Sequence, residues 1–210
     1  MIRVMIADDH AIVRRGLKQI LSETSDIDVT GEAETALQAI RIAQRNVFDV
    51  LLLDISLPDK SGIEALKQIK KCQPQLAVLM LSMHTESEFA IRALKAGAAG
   101  YLNKQSAPAQ LVTAIRQVAA GKKYISAALA QELANALGND TGKAPHTTLS
   151  DREFQALRLI ASGKTLSGIS AELNLSPKTI SVYRARLLEK LNLKNNSDLT
   201  RYAIKNQLVD

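Results

Sequence analysis

The chain has 210 residues, 46% of them hydrophobic and 23% charged, which is the make-up of a folded globular protein and excludes a disordered chain. Its single cysteine, Cys72, excludes an intrachain disulfide and a thiolate metal cage. The net charge of +6 is unevenly placed: residues 1–120 carry 14 Lys and Arg against 13 Asp and Glu, while residues 121–210 carry 13 against 8, so the C-terminal part suits an anionic partner.

The start, MIRVMIADDHAIVRRG, has too short an apolar run for a signal peptide, and carboxylates follow it directly. No stretch reaches the roughly 18 apolar residues of a membrane span. The expectation is a soluble, cytoplasmic protein without a membrane partner.

Along residues 1–120 the pattern alternates. Strands are expected at 3–7, 28–32, 48–53, 77–81 and 100–102, and helices at 11–22, 35–45, 63–71, 86–96 and 109–119. Val13, Leu17, Ile20 and Leu21 share one face of the first helix. The third strand is apolar at nearly every position, as a strand covered on both faces should be. Ser61 with Glu64, and Thr85 with Glu88, read as capping boxes, and Gly97 as a helix stop. Five strand–helix units in series imply a parallel, doubly wound sheet in the flavodoxin-like order 2-1-3-4-5. Residues 121–148 read as a linker holding one helix at 127–137; within it GNDTGKAPHTT, 138–148, lacks any apolar period. From 149 to 210 only short helices are expected, the first opened by Ser150 and Glu153.

In an open parallel sheet, ligands bind beyond the carboxyl ends of the strands. Asp8 and Asp9 follow the first strand, Asp54 the third, Ser82 the fourth and Lys104 the fifth. Taken singly, the acidic pair suits a helix N-terminus, Lys104 a surface and Ser82 a cap. Together at successive strand ends they form an acidic site with one ammonium group. Clustered carboxylates call for a hard divalent cation such as Mg²⁺. A carboxylate beside such a cation and a lysine can attack phosphorus, forming an aspartyl phosphate. On this view Asp54 closes an apolar run because its charge is the reagent.

IADDH at 6–10, LLLDISLPDKSG at 51–62, LMLSMH at 79–84 and GAAGYLNK at 97–104 resemble the receiver domain of two-component response regulators. The resemblance implies that Asp54 is the phosphoacceptor. It implies Mg²⁺ (or Mn²⁺) on Asp9 and Asp54, with the Ser56 carbonyl as third ligand and Asp8 in support. Ser82 matches the switch hydroxyl, Lys104 the phosphate-pairing lysine, and Tyr101 the switch aromatic. Ser56 and His84 occupy positions that tune the lifetime of the phosphoryl group. Many receivers follow the lysine with proline; here Gln105 follows, and no cis peptide is expected.

In TLSGISAELNLSPKTISVYRARLLEKL, 165–191, a short helix, a turn at 174–176 and a second helix opened by Ser176 and Pro177 give the helix-turn-helix plan. Ile180, Tyr183, Leu187 and Leu191 form the core stripe of the second helix. Lys178, Thr179, Ser181, Val182 and Ala185 are left to approach base edges, with Arg184 and Arg186 on the flanks for phosphates. Residues 149–209 resemble the LuxR-type four-helix DNA-binding domain. Gly168 should weaken the helix before the turn. Ser181 and Ala185 stand where some relatives carry lysines, so base readout would lean on Val182, water and DNA shape.

The two halves together resemble a NarL/FixJ-type response regulator. The resemblance implies a sensor histidine kinase as phosphodonor, promoter DNA as ligand, and a homodimer on DNA paired near residues 197–203. It also implies contact with RNA polymerase, and no enzyme activity beyond the receiver's own phosphorylation and dephosphorylation. The alternatives are an aspartate-nucleophile phosphatase, disfavoured because Ser56 stands where a second acid is wanted, and a DNA-binding regulator that ignores phosphorylation and uses its receiver for protein contacts.

Overall fold

The computed structural model describes residues 1–83, 87–106, 108–127, 129–131, 144–206 and 208–209. They fall into two compact units, Met1–Ala136 and Leu137–Asp210. His84, the Thr85 cap, residues 132–137 of the expected helix and 138–143 of the expected linker lie outside the described residues.

The first unit runs β1 (Ile2–Ala7), α1 (Ala11–Ser22), β2 (Ile27–Ala33), α2 (Ala36–Arg45), β3 (Val50–Asp54), α3 (Gly62–Cys72), β4 (Ala77–Ser82), α4 (Ser87–Lys95), β5 (Gly100–Asn103) and α5 (Pro108–Ala119). All strand pairs are parallel and the order is β2-β1-β3-β4-β5, as the alternating pattern requires. β3 is buried at every position. Val4, Ile6, Val50, Leu52, Leu79 and Leu81 form one core cluster with Leu111, Ile115 and Val118 of α5. Each such side chain contributes about 1.5–3 kcal/mol by leaving water. That core holds the strand ends in fixed relation.

β3 takes in Asp54, one residue beyond the expected strand, in register with Leu81 of β4. The chain then folds back sharply. The Gly62 N–H donates to the Ile55 carbonyl at 2.8 Å, and a Cβ on Gly62 would lie 1.9 Å from the Asp54 carbonyl oxygen. Only glycine fits so close to the backbone. Ser61, fully buried in this turn, caps α3 by accepting from the Ile63 N–H at 3.3 Å. This single bond stands in place of the expected box with Glu64, because the turn draws Ser61 inward.

After α5 the chain returns to the sheet, where Tyr124 forms a parallel bridge with Gly100 on the outer edge of β5. Residues 127 and 129–131, within the expected helix, are helical.

Among the described residues of the second unit, a 3₁₀ turn at Pro145–Thr148 is followed by α6 (Asp151–Ala161), α7 (Leu166–Glu172), α8 (Pro177–Lys190) and α9 (Asn196–Lys205). The capping box on α6 forms in both directions: the Ser150 N–H donates to Glu153 Oε2 at 2.8 Å, and the Glu153 N–H to Ser150 Oγ at 3.3 Å. Phe154, Leu157, Ile169, Ile180, Leu187, Leu199 and Ala203 are buried. α7 is short and carries Gly168, whose N–H donates to the capping Thr165 hydroxyl. Asn174, at φ 50°, makes the turn into α8, where Ser176 accepts from the Thr179 N–H at 3.1 Å and Pro177 takes the first helical position. All described peptide bonds are trans. Among the described residues no helix is long and apolar enough to cross a membrane.

Candidate functional site

The carboxyl edge of the sheet gathers the residues that stand at its strand ends. Lys104 Nζ lies 2.6 Å from Asp8 Oδ2 and 2.8 Å from Asp54 Oδ2. All three side chains are nearly dry, with exposures of 6%, 0% and 2% respectively. Burial pushes the Asp54 carboxyl above its ordinary pKa; the Lys104 ammonium opposes this, and the charge on Asp8 adds to it. Burial works against the Lys104 charge as well, but the two carboxylates prevail and raise its pKa. The other oxygen of Asp54, Oδ1, accepts the Ser56 N–H at 3.2 Å.

Asp9 is more open and holds His10: its Oδ1 is 2.8 Å from His10 Nδ1, which lies 3.4 Å from Asp8 Oδ1. One ligand atom from each of Asp8, Asp9, His10 and Asp54 falls within 4.8 Å of the others. Three carboxylates face a single ammonium group here, so the site carries excess negative charge on oxygen donors. That donor set fits a hard divalent cation of the Mg²⁺ or Mn²⁺ kind. His10 was not singled out in the sequence; it stands directly before α1, as the extended residue that precedes the helix.

Ser82 closes β4, and its carbonyl accepts the Lys104 N–H at 2.7 Å. Its hydroxyl is hydrogen-bonded to the phenol of Tyr101, which is buried at 4% exposure. Burial pushes that phenol's pKa up to about 12.

Two residues that the sequence did not point to stitch the site loops to the β2–α2 turn. Arg14, buried in α1, donates from Nη1 to the Asp8 carbonyl at 2.7 Å and pairs through Nη2 with Glu34. Asp59, in the loop after Asp54, accepts from the Ala36 and Leu37 N–H groups at 2.8 and 2.9 Å. A carboxylate on the open N–H groups of a helix start is favourable, and here it anchors the loop as well.

In the second unit, Lys178, Ser181, Val182, Ala185 and Arg186 of α8 are exposed, while Ile180, Leu187 and Leu191 are buried and Tyr183 half-buried. Thr179 is half-buried and bonded to Ser176 through both its N–H and its hydroxyl. Arg184 is half-buried, and its Nε donates to Asn196 Oδ1 of α9 at 2.6 Å. α9 thus sets where this guanidinium lies. A helix face of small side chains rimmed by arginines has the form that enters a major groove.

Residues 4–116 match the family model of the response regulator receiver domain, and residues 147–203 that of bacterial regulatory proteins of the luxR family. The chain is 39% identical to the response regulator UvrY of Escherichia coli over 211 aligned positions, covering 100% of this chain and 97% of that protein. It is 36% identical to the response regulator GacA of Pseudomonas aeruginosa, covering 100% and 99%. Among solved structures it is similar to RcsB of Salmonella enterica serovar Typhimurium bound to promoter rprA in the presence of the phosphomimetic BeF₃⁻. That similarity has a TM-score of 0.66 at 30% identity, with 96% of this chain and 97% of that one covered.

Proposed function

Because this chain belongs to the two-component response regulators that join a receiver domain to a LuxR-type DNA-binding domain, we propose that Asp54 is its phosphoacceptor and that the phosphoryl state of Asp54 controls binding of promoter DNA. One observation carries this most directly: Asp54 is held at the strand end, nearly dry, with the Lys104 ammonium 2.8 Å away.

Asp9 and Asp54, with the Ser56 carbonyl and with Asp8 behind them, would hold one Mg²⁺ or Mn²⁺ ion. When bound, it would supply charge neutralisation for the phosphoryl oxygens. Asp54 is the nucleophile. A carboxylate oxygen forms a bond to phosphorus as the bond to the donor's imidazole nitrogen breaks; that nitrogen keeps the electron pair and takes up a proton. The donor is the phosphohistidine of a sensor kinase. Lys104 exchanges its bond to the carboxylate for one to the new phosphoryl group. Ser82 donates its hydroxyl proton to a phosphoryl oxygen and accepts from the Tyr101 O–H. Ser56 and His84 tune the lifetime of the adduct. The chain has no separate substrate.

Lys178, Thr179, Ser181, Val182 and Ala185 face the bases, and Arg184 and Arg186 the phosphates. A second copy pairs through α9, where Ile204 is 55% exposed. The protein works in the cytoplasm, and its output passes to RNA polymerase. RcsB, seen with promoter DNA and a phosphomimetic, supports by family likeness the link between the phosphoryl state and DNA binding.

The test is intact mass after incubation with Mg²⁺ and a small phosphodonor, for the wild type and for Asp54→Ala. A phosphoryl adduct on the wild type alone is expected. An adduct on both would assign the wrong aspartate. No adduct on either, with a cognate kinase also failing, would point to a regulator that works without phosphorylation.

A further inference from the structure

Tyr101 is held at two ends. Its phenol is bonded to Ser82 inside the receiver. Its backbone N–H faces the opposite way, across the free edge of β5, and donates to the Tyr124 carbonyl at 3.2 Å. The Tyr124 N–H returns a bond to the Ala99 carbonyl at 3.0 Å, and Lys123 Nζ donates to the Ala98 carbonyl at 2.6 Å. The Tyr124 side chain is partly buried against the core cluster. The approach is close: a Cβ on Gly100 would lie 2.5 Å from the Tyr124 carbonyl oxygen and 3.0 Å from its Cβ. Every residue from Ala98 to Tyr101 is therefore engaged by the short segment that leaves α5 toward the DNA-binding unit.

We propose that Tyr124 is a positioning residue of the switch: its docking on β5 is coupled, through Tyr101 and Ser82, to the phosphoryl state of Asp54. This rests on the assignment of Asp54 and Ser82 made above. A serine hydroxyl has one proton to donate and two lone pairs. With no phosphoryl group, Ser82 can act as donor or acceptor toward Tyr101, and the phenol is loosely specified. Once Ser82 donates to a phosphoryl oxygen, it can only accept from Tyr101, and the phenol is fixed. Fixing Tyr101 fixes the strand whose amide carries Tyr124. Phosphorylation then tightens the docking of the outgoing chain, and by linkage docking tightens the hold on the phosphoryl mimic by the same factor.

The experiment uses the full chain with Mg²⁺ and beryllofluoride. Amide hydrogen exchange at Tyr101 and Tyr124 is measured with and without the mimic. Beryllofluoride affinity is then measured for the wild type, for Tyr124→Pro, which lacks the N–H given to Ala99, and for Lys123→Ala, a surface change that serves if the proline variant does not fold. Protection at Tyr124 should rise about fivefold or more with the mimic, the lower end of usual coupling between sites. Tyr124→Pro should bind the mimic more weakly by the same factor, and Lys123→Ala by a smaller one. A merely structural role would lower stability without making Tyr124 protection depend on the mimic. Equal protection in both states, with the mimic bound to the wild type, overturns the coupling alone. Failure of the wild type to bind the mimic overturns the Asp54 assignment and the coupling with it.

Discussion

Arg14 and Asp8 are joined through the backbone: the guanidinium Nη1 donates to the Asp8 carbonyl oxygen at 2.7 Å, in a buried position. The arginine therefore holds the loop that presents two acidic residues without neutralising either carboxylate. Arg14→Ala removes that donor. Leaving such a carbonyl unpaired costs about 1–3 kcal/mol. Urea unfolding should register the loss, and a Mn²⁺ titration should show weaker binding because Asp8 and Asp9 are no longer fixed. Wild-type values in both measurements would remove Arg14 from the site.

Gly62→Ala should be the most damaging small change near Asp54. The added Cβ would fall 1.9 Å from the Asp54 carbonyl oxygen, against backbone that cannot swing aside. Overpacking of this kind costs about 3 kcal/mol, the upper end of the usual range, and Asp54 should move. Gly16→Ala in α1 is the matched control. Nothing lies within 4 Å of its added Cβ, and a gain of about 0.4–1 kcal/mol is expected there. Thermal unfolding of both variants checks the pair; equal effects would contradict the packing described for the turn after β3.

The stability of the second unit should fall in acid through Glu153. Burial alone would raise its pKa, but bonds from Lys190 Nζ at 2.7 Å and from Ser150 outweigh this and hold the carboxyl below its ordinary value. A carboxyl with a depressed folded-state pKa stabilises the fold fully above the unfolded value of 4.5, and that contribution is lost as the pH falls through the folded value. Glu153→Gln should be less stable at neutral pH, and its melting temperature should change less on acidification below pH 4.5. Parallel pH profiles for the two proteins would rule this out.

Arg184→Ala should weaken binding to all duplexes about equally and reduce the slope of log affinity against log salt by about 0.9, the value of one phosphate contact. Asn196→Ala should act in the same direction more weakly, since Asn196 Oδ1 fixes the guanidinium at 2.6 Å. A loss confined to one base position would mean that Arg184 reads sequence instead.

Local patterns carried much of this architecture. The apolar run before Asp54 identified a doubly covered strand, and the alternation of strands and helices led to the observed strand order. The meeting of Asp8, Asp54, Ser82 and Lys104 at one edge was legible because each closes a strand or directly follows one, and parallel strands end on one side. Arg14, Asp59 and Gly62 were not legible. Each acts on backbone atoms brought near by folding, and neither periodicity nor residue type records a partner carbonyl or N–H. The Ser61 cap shows the same limit: the spacing of Ser61 and Glu64 was right for a box, but a turn imposed by a glycine redirected the hydroxyl. His10 and Asn196 were missed for a related reason, since their partners are set by rotamer rather than by position.

The return of the chain onto β5 also bears on handling and on the design of shortened receivers. β5 is an outer strand of the sheet, and its unpaired amides and carbonyls would otherwise form a template for another copy to add to. Residues 123 and 124 cover that border with their own backbone and one lysine side chain. A receiver truncated at residue 120, just beyond the end of α5, would lose this cover and expose a sticky rim, whereas one extended past residue 125 would keep it. Solubility of the isolated receiver should therefore depend on a handful of residues that belong to neither recognised module.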